Sequence, residues 1–71
     1  MLVGDLIYND GFVLIASYAV YNYTEGKGWY QTMPVFSSKT DRGKPKDKIL
    51  DMKIKYITVN NGTIIIVAER S

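Results

Sequence analysis

The sequence predicts an all-β domain, either a small five-stranded barrel or a strongly curled antiparallel sheet, with SH3-like or OB-like topology. Residues 12–23 are uncharged and rich in β-branched and aromatic side chains, a composition typical of a buried strand. Two turn signals, Asn9-Asp10-Gly11 and Asn60-Asn61-Gly62, each separate two apolar segments, as hairpin turns do. Closure into a barrel would remove the unpaired edges that an open sheet of such strands exposes.

The first two predicted strands precede any strongly polar segment. Residues 2–8 alternate in polarity and predict a short first strand. Residues 12–23 predict the second strand, whose apolar side chains fall on both faces in its first half. A strand of this length is too long to lie flat in so small a domain, so we expect a bend near Ala16-Ser17 or Ala19.

The middle of the chain combines an apolar segment with a basic loop. After a turn at residues 24–28, residues 29–36 predict the third strand. Pro34 indicates an edge or a bulge there, because proline cannot donate to a strand ladder. Residues 37–48 then form a basic polar loop with five cationic and two acidic side chains, a net charge of 5 − 2 = +3.

The last part of the chain predicts a hairpin. Residues 49–59 alternate as a half-buried strand, although residues 47–57 also fit a helical period. The strand propensity of the segment favours the strand. Its predicted inward positions are Leu50, Met52, Ile54 and Tyr56, and its outward positions are Asp51, Lys53 and Lys55. Residues 63–69, apolar on both faces, predict the fifth strand.

Length and composition limit the fold to one domain, residues 1–71. A chain of this size buries only about 60% of its unfolded surface, so its stability is marginal without additional support. The sequence has no Cys for disulfides and no His for metals. It shows no signal peptide, and its apolar runs are shorter than the roughly 18 residues that span a bilayer. We therefore expect a cytoplasmic protein without a membrane partner.

Four aromatic side chains flank the turn at residues 24–28 and are the first candidate binding site: Tyr21, Tyr23, Trp29 and Tyr30. Exposed Tyr and Trp can anchor a protein interface or stack on nucleic-acid bases. Alternatively, they fill the core, since a small barrel has few large residues. Among the other tyrosines, we expect Tyr8 and Tyr56 in the core.

Cationic side chains of the basic loop and the following strand are the second candidate site, for nucleic-acid phosphates: Lys39, Arg42, Lys44, Lys46, Lys48, Lys53 and Lys55. The alternative is a solvated loop that keeps the domain soluble. The net charge of the whole chain is only +2, which argues weakly for a polyanionic partner.

The apolar strand faces exceed what one small barrel interior holds. Ile65 and Val67 on the last strand, with Val13 and Ile15 on the second, therefore predict an oligomer interface or a site of strand addition. The alternative is that barrel curvature or the segment containing Pro34 covers them.

The composition argues against catalysis. Without His and Cys, the commonest general base and a common nucleophile are missing. Asp5 and Asp51 are the only carboxylates within predicted strands that could converge, and no phosphate-binding loop or metal-ligand spacing is present. We therefore expect no enzyme activity, no metal and no cofactor. The predicted function is a non-catalytic module for protein binding or self-association, with nucleic-acid binding as the alternative.

Overall fold

Four strands form one mixed sheet, and two short helices pack on one of its faces. The computed structural model describes residues 1–9, 17–41 and 43–70. In chain order, the elements are α1 (Val3–Asn9), β1 (Ser17–Asn22), a 3₁₀ helix (Trp29–Gln31), β2 (Pro34–Ser37), α2 (Asp47–Leu50), β3 (Lys53–Asn60) and β4 (Thr63–Glu69). The structure is therefore mostly β, as the sequence predicts, with a small helical layer.

The strand order is β2-β1-β4-β3, with a parallel pair at the centre. β1 pairs with β4 from Ser17↔Thr63 to Asn22↔Ala68, whereas β2 and β3 pair antiparallel on the outside. The sheet is not closed, so neither the five-stranded barrel nor its SH3-like or OB-like order is confirmed. The parallel central pair explains the apolar character of β1 and β4 on both faces, because central strands are covered on both sides.

The helix-side face carries the main core. Val20, Ile66 and Val3 are fully buried there, and the rings of Tyr18 and Phe36 stack at 5.7 Å between centroids. Burial raises the pKa of Tyr18 above its ordinary value, and the neighbouring Tyr8 hydroxyl raises it further. This face is an apolar layer between the sheet and the two helices.

The first segment is helical, so the strand predicted at residues 2–8 is wrong. Val3 and Ile7 lie one helical turn apart, and both are buried against the sheet. At the helix start, the Asp5 Oδ2 atom accepts a hydrogen bond from the Leu2 N–H at 3.1 Å, which satisfies a donor that the helix leaves free. A Cβ atom on Gly4 would lie 3.3 Å from the Leu50 carbonyl oxygen, so glycine permits the close approach of α1 to α2.

The second predicted strand is described only in part, and the third is shorter than expected. Of residues 12–23, the structure describes β1 from Ser17 onward, and the turn at Asp10-Gly11 and the bend at Ala16 lie outside the described residues. Residues 29–31 form the 3₁₀ helix instead of a strand, because the Thr32 N–H bonds back to Trp29. β2 is an edge strand with a register shift opposite Val20 and Tyr21, which confirms the placement of Pro34.

The β3–β4 hairpin is confirmed. Asn61 and Gly62 have φ values of 50° and 77°, as a two-residue turn with two left-handed positions requires. β4 spans the predicted residues 63–69. The preceding segment differs: residues 47–50 form one helical turn, α2, and β3 starts only at Lys53.

A bulge in β3 changes the predicted alternation. The register shifts between Ile54 and Tyr56, so Ile54 stays on the helix side while Tyr56 pairs with Val67 on the opposite face. Tyr56 is 40% exposed and Tyr8 is 46% exposed, so the expectation that both lie in the core is wrong. Beyond the bulge, Ile57 and Val59 lie on the helix side of the sheet, where simple alternation would place Tyr56.

Candidate functional site

Aromatic side chains cover the second face of the sheet. Ala19, Ile65 and Val67 form a small buried cluster on this face. Three aromatic side chains pack against this cluster, and we call them the aromatic cover: Tyr21, Tyr23 and Trp29. The Tyr21 and Trp29 rings meet edge-to-face at 5.3 Å between centroids. Three of the four aromatic residues predicted to bind a partner therefore pack partly in the core, which agrees with the alternative prediction that they fill the core.

Tyr30 is the exposed member of the predicted aromatic set. Its side chain is 73% exposed and its ring lies perpendicular to that of Trp29, at 85°. The turn beneath is fixed, since the Gly28 N–H donates to the Gln31 Oε1 atom at 2.9 Å and the Thr32 hydroxyl donates to the Trp29 carbonyl at 2.9 Å. Rings at right angles do not form the parallel platform on which successive bases stack.

Lys55 connects the aromatic cover to the end of β4. Its Nζ atom lies 5.0 Å from the centre of the Tyr23 ring and 3.8 Å from the Glu69 Oε1 atom. The ion pair is about half exposed, so it contributes little to stability. Glu69 does offset the positive charge of Lys55, a predicted phosphate contact that lies beside the aromatic cover.

Among the other predicted phosphate contacts, Lys44 lies beside a different aromatic ring. Lys44 sits over the Tyr8 ring at 5.7 Å, on the helix side of the molecule. Four others, Lys39, Lys46, Lys48 and Lys53, are exposed, and Arg42 lies outside the described residues. The contact of Lys44 with Tyr8 thus places this part of the basic loop on the helix side, opposite the aromatic cover.

Two small concavities lie between α2 and the ends of the central strands. The larger has a volume of about 210 Å³ and is lined by Lys48, Asp51, Met52 and Arg70. It combines charges of both signs over an apolar floor, and within the described part of the chain no group of three metal-ligating side chains occurs. The predicted carboxylate pair does not meet as two strand residues, because Asp5 lies in α1 and Asp51 follows α2.

The outer edge of β3 exposes backbone groups that do not pair with another strand of the sheet. Asn60 and Thr63 flank the two-residue turn and so form a hydrogen-bonded pair. Alternation along the ladder then directs the N–H and C=O groups of Thr58 towards β4, and those of Ile57 and Val59 away from the sheet. Among the described residues, no hydrogen bond reaches these outward groups.

The N-terminus covers only the start of this edge. The Ile54 N–H donates to the Met1 carbonyl at 2.9 Å, and Leu2 forms an isolated bridge with Lys53. Past the bulge, the side chains of Ile57 and Val59 are 45% and 64% exposed. We call residues 56–60, which carry no charge, the β3 edge.

Comparison with known proteins found no similar protein. No family model, curated protein or solved structure matches the chain. Among the described residues, no helix is long and apolar enough to cross a bilayer. Any functional conclusion therefore depends on the geometry alone.

Of the predicted oligomer residues, Ile65 and Val67 are already buried within one chain, and Val13 and Ile15 lie outside the described residues. Ile65 and Val67 are 3% and 1% exposed, so a second copy would reach them only through the aromatic side chains packed above. On the neighbouring strand β3, the aliphatic side chains of Ile57 and Val59 are exposed instead. The sequence contains a signal for them, since the alternation Ile54, Tyr56 changes phase to Ile57, Val59 and so indicates a bulge.

Proposed function

We propose that the protein is a non-catalytic interaction module that binds by strand addition along the β3 edge. The observation that carries this proposal is the free backbone of Ile57 and Val59, whose exposed side chains flank it. The absence of catalysis and of a cofactor, and a location in the cytoplasm, remain predictions from the sequence.

The physical argument rests on what normally protects an edge strand. Proteins block exposed edges with charges, proline, bulges or a covering segment, because free N–H and C=O groups template pairing with another chain. In β3 these devices are all at one end: Lys53, Lys55, the bulge, and the cover by Met1 and Leu2. Within the described part of the chain, the β3 edge has none of these protective features, which supports a role in binding.

Nucleic-acid binding is the weaker candidate. Lys55 beside Tyr23 is the contact that favours it, but Glu69 accompanies this lysine. Titration with labelled single-stranded and duplex oligonucleotides at low and physiological salt tests it, with Trp29 fluorescence as the reporter. Salt-sensitive binding that quenches Trp29, and that weakens when Lys44, Lys46 and Lys48 are replaced by Gln, would favour nucleic acid over strand addition.

The proposed function is tested with a synthetic strand. A fluorescent peptide with the sequence of residues 55–61 offers a β-strand whose outward groups match those of the protein. Binding is measured by fluorescence anisotropy, and its position by slowed hydrogen exchange at the amides of Ile57 and Val59. We expect saturable binding with protection of these two amides, because each would donate to the added strand.

Matched peptides provide the control. N-methylation at the positions equivalent to Ile57 and Val59 removes the donors that face the protein, and should weaken binding about tenfold or more. N-methylation at the position of Thr58 removes a donor that faces away, and should change little. Equal effects of the two modifications, or no binding, would contradict strand addition.

A further inference from the structure

We infer that the partner at the β3 edge is a second copy of this chain, paired antiparallel about a twofold axis at Thr58. This inference rests on the proposed strand addition and names its partner. In this register Ile57 of each copy lies opposite Val59 of the other, and the two Thr58 residues face each other. Antiparallel pairing of a strand with itself is an isologous contact and closes after two copies.

The backbone is complementary to itself in this register. Ile57 and Val59 are the residues whose N–H and C=O groups face outward. Ile57 of each copy pairs with Val59 of the other copy, which makes two hydrogen-bonded pairs and about four backbone hydrogen bonds in total. In a register displaced by one residue, Thr58 would lie opposite Val59 of the other copy. The N–H and C=O groups of Thr58 point towards β4, so these hydrogen bonds would be lost.

The side chains agree with the backbone. Ile57 and Val59 both lie on the helix side of the sheet, since they pair with Ile66 and Ile64. In the dimer their exposed parts, now 45% and 64%, would cover one another in a cluster of four apolar side chains. The eight strands would then form one continuous sheet across the axis.

The charges select the antiparallel direction. Both lysines of β3, Lys53 and Lys55, lie at its N-terminal end. Antiparallel pairing about Thr58 places each Lys55 opposite the uncharged Asn61 of the second copy. A parallel pairing in register would instead bring the lysines of the two copies side by side, and like charges directly opposite are destabilising.

The β3 edge is short, so the dimer should be weak. A standard interface buries about 800 Å² on each partner, more than five residues of one strand supply. Sedimentation velocity from about 10 µM to 1 mM covers the range expected for so small an interface. We expect the mean mass to rise from monomer towards dimer, with no larger species.

Three variants test whether the association uses the β3 edge. Val59→Pro removes an outward donor, and Val59→Lys adds a charge at a side chain that is largely exposed. Each should shift the half-association concentration upward about tenfold or more. Met33→Lys adds the same charge at a residue that is 83% exposed and outside β3, and should leave the association unchanged. Circular dichroism of each variant shows that it folds, and Val59→Lys remains informative if Val59→Pro does not.

Cysteine crosslinking tests the register. The chain has no Cys, so a single introduced thiol is the only one present. Facing residues in a non-hydrogen-bonded antiparallel pair have Cα atoms about 4.5 Å apart, within the range of a disulfide. Under mild oxidation Thr58→Cys should form a covalent dimer about tenfold faster than Asn60→Cys, whose counterpart lies about four residues away along the strand. Equal rates would overturn the register.

The outcomes separate this inference from the proposed function. A chain that stays monomeric at every concentration but binds the peptide of residues 55–61 would overturn the dimer and leave strand addition standing. A monomeric chain that does not bind the peptide would overturn both. A dimer unaffected by both Val59 variants would show that the copies associate through another surface.

Discussion

The two-layer arrangement predicts unequal costs for the same substitution at Val20 and Val35. Val20 lies in β1 and is 0% exposed, whereas Val35 lies in β2 and is 43% exposed. Val20→Ala removes two methyl groups, which costs about 1.6 kcal/mol of transfer free energy at about 0.8 kcal/mol each. A residual cavity on the order of 50 Å³ adds about 1 kcal/mol.

At Val35 the same substitution leaves no closed cavity, and nearly half of the side chain is already in water. Val35→Ala should therefore cost only about 0.8 kcal/mol. The difference of about 2 kcal/mol corresponds to about 8–16 °C in Tm for a domain of this size.

The assay is urea unfolding at low protein concentration, followed by circular dichroism and Trp29 fluorescence. Coincident transitions from the two probes justify a two-state free energy of unfolding. Equal losses for the two variants would refute the assignment of Val20 to a sealed layer between sheet and helices. A loss below about 0.5 kcal/mol at Val20 would do the same.

Three further predictions test other parts of the structure. Trp29→Ala uncovers the apolar cluster beneath it, so it should lower the free energy of unfolding by about 2 kcal/mol and increase the binding of a hydrophobic dye. Tyr30→Ala should lower the free energy of unfolding by less than about 0.5 kcal/mol. Urea unfolding measures both changes. Gly62→Ala places a Cβ atom at a φ of 77° and should lower stability by about 1–2 kcal/mol in thermal unfolding, whereas Asn61→Gly should be nearly neutral. Because burial raises the pKa of Tyr18, its contribution to stability is complete below the unfolded-state pKa near 10 and is lost as the pH rises through the folded-state pKa. Unfolding measured from pH 8 to 11 should show this loss of stability. The Tyr18→Phe variant should lack the loss, which would confirm Tyr18 as its source. A Tyr18→Phe variant with the same pH profile as the unmodified protein would contradict the assignment.

The β3–β4 hairpin was predictable because its determinants are local. Two adjacent residues that tolerate a left-handed backbone, Asn61 and Gly62, mark the turn whatever the rest of the chain does. The strand that follows is β-branched throughout its centre, and its burial on both faces follows from its central place in the sheet. The position of Pro34 at an edge follows equally locally from its missing donor.

The first helix was not predictable from polarity alone. Alternation over residues 2–8 fits a strand, and the spacing of Val3, Leu6 and Ile7 fits a helix, so the same residues satisfy both patterns. A seven-residue helix is not stable in isolation, and packing of its buried side chains against the sheet decides between them. The mixed sheet was not predictable for a related reason, because the parallel pairing of β1 with β4 is a long-range contact with no local signal.

The candidate surface was partly predictable. Composition indicated an excess of apolar strand faces and a possible strand addition, but it assigned the exposed positions to β4. One extra residue at the β3 bulge exchanges the two faces beyond it, so Tyr56 and Ile57 swap the sides that simple alternation gives them. The aromatic cover shows the converse: residues expected at a binding surface were needed to seal the second face of a small sheet.

The parallel central pair has a consequence for how the chain acquires its structure during synthesis. Of the described strands, β1 is synthesised first and its central partner β4 is synthesised last, and the two pair from Ser17↔Thr63 onward. Until then β1 can pair with β2 alone, and its other edge stays unsatisfied. Such contacts between distant parts of the chain slow folding. One edge of residues 17–22 is therefore open to wrong pairing, with another chain or within the same chain, until β4 has been synthesised and pairs with it.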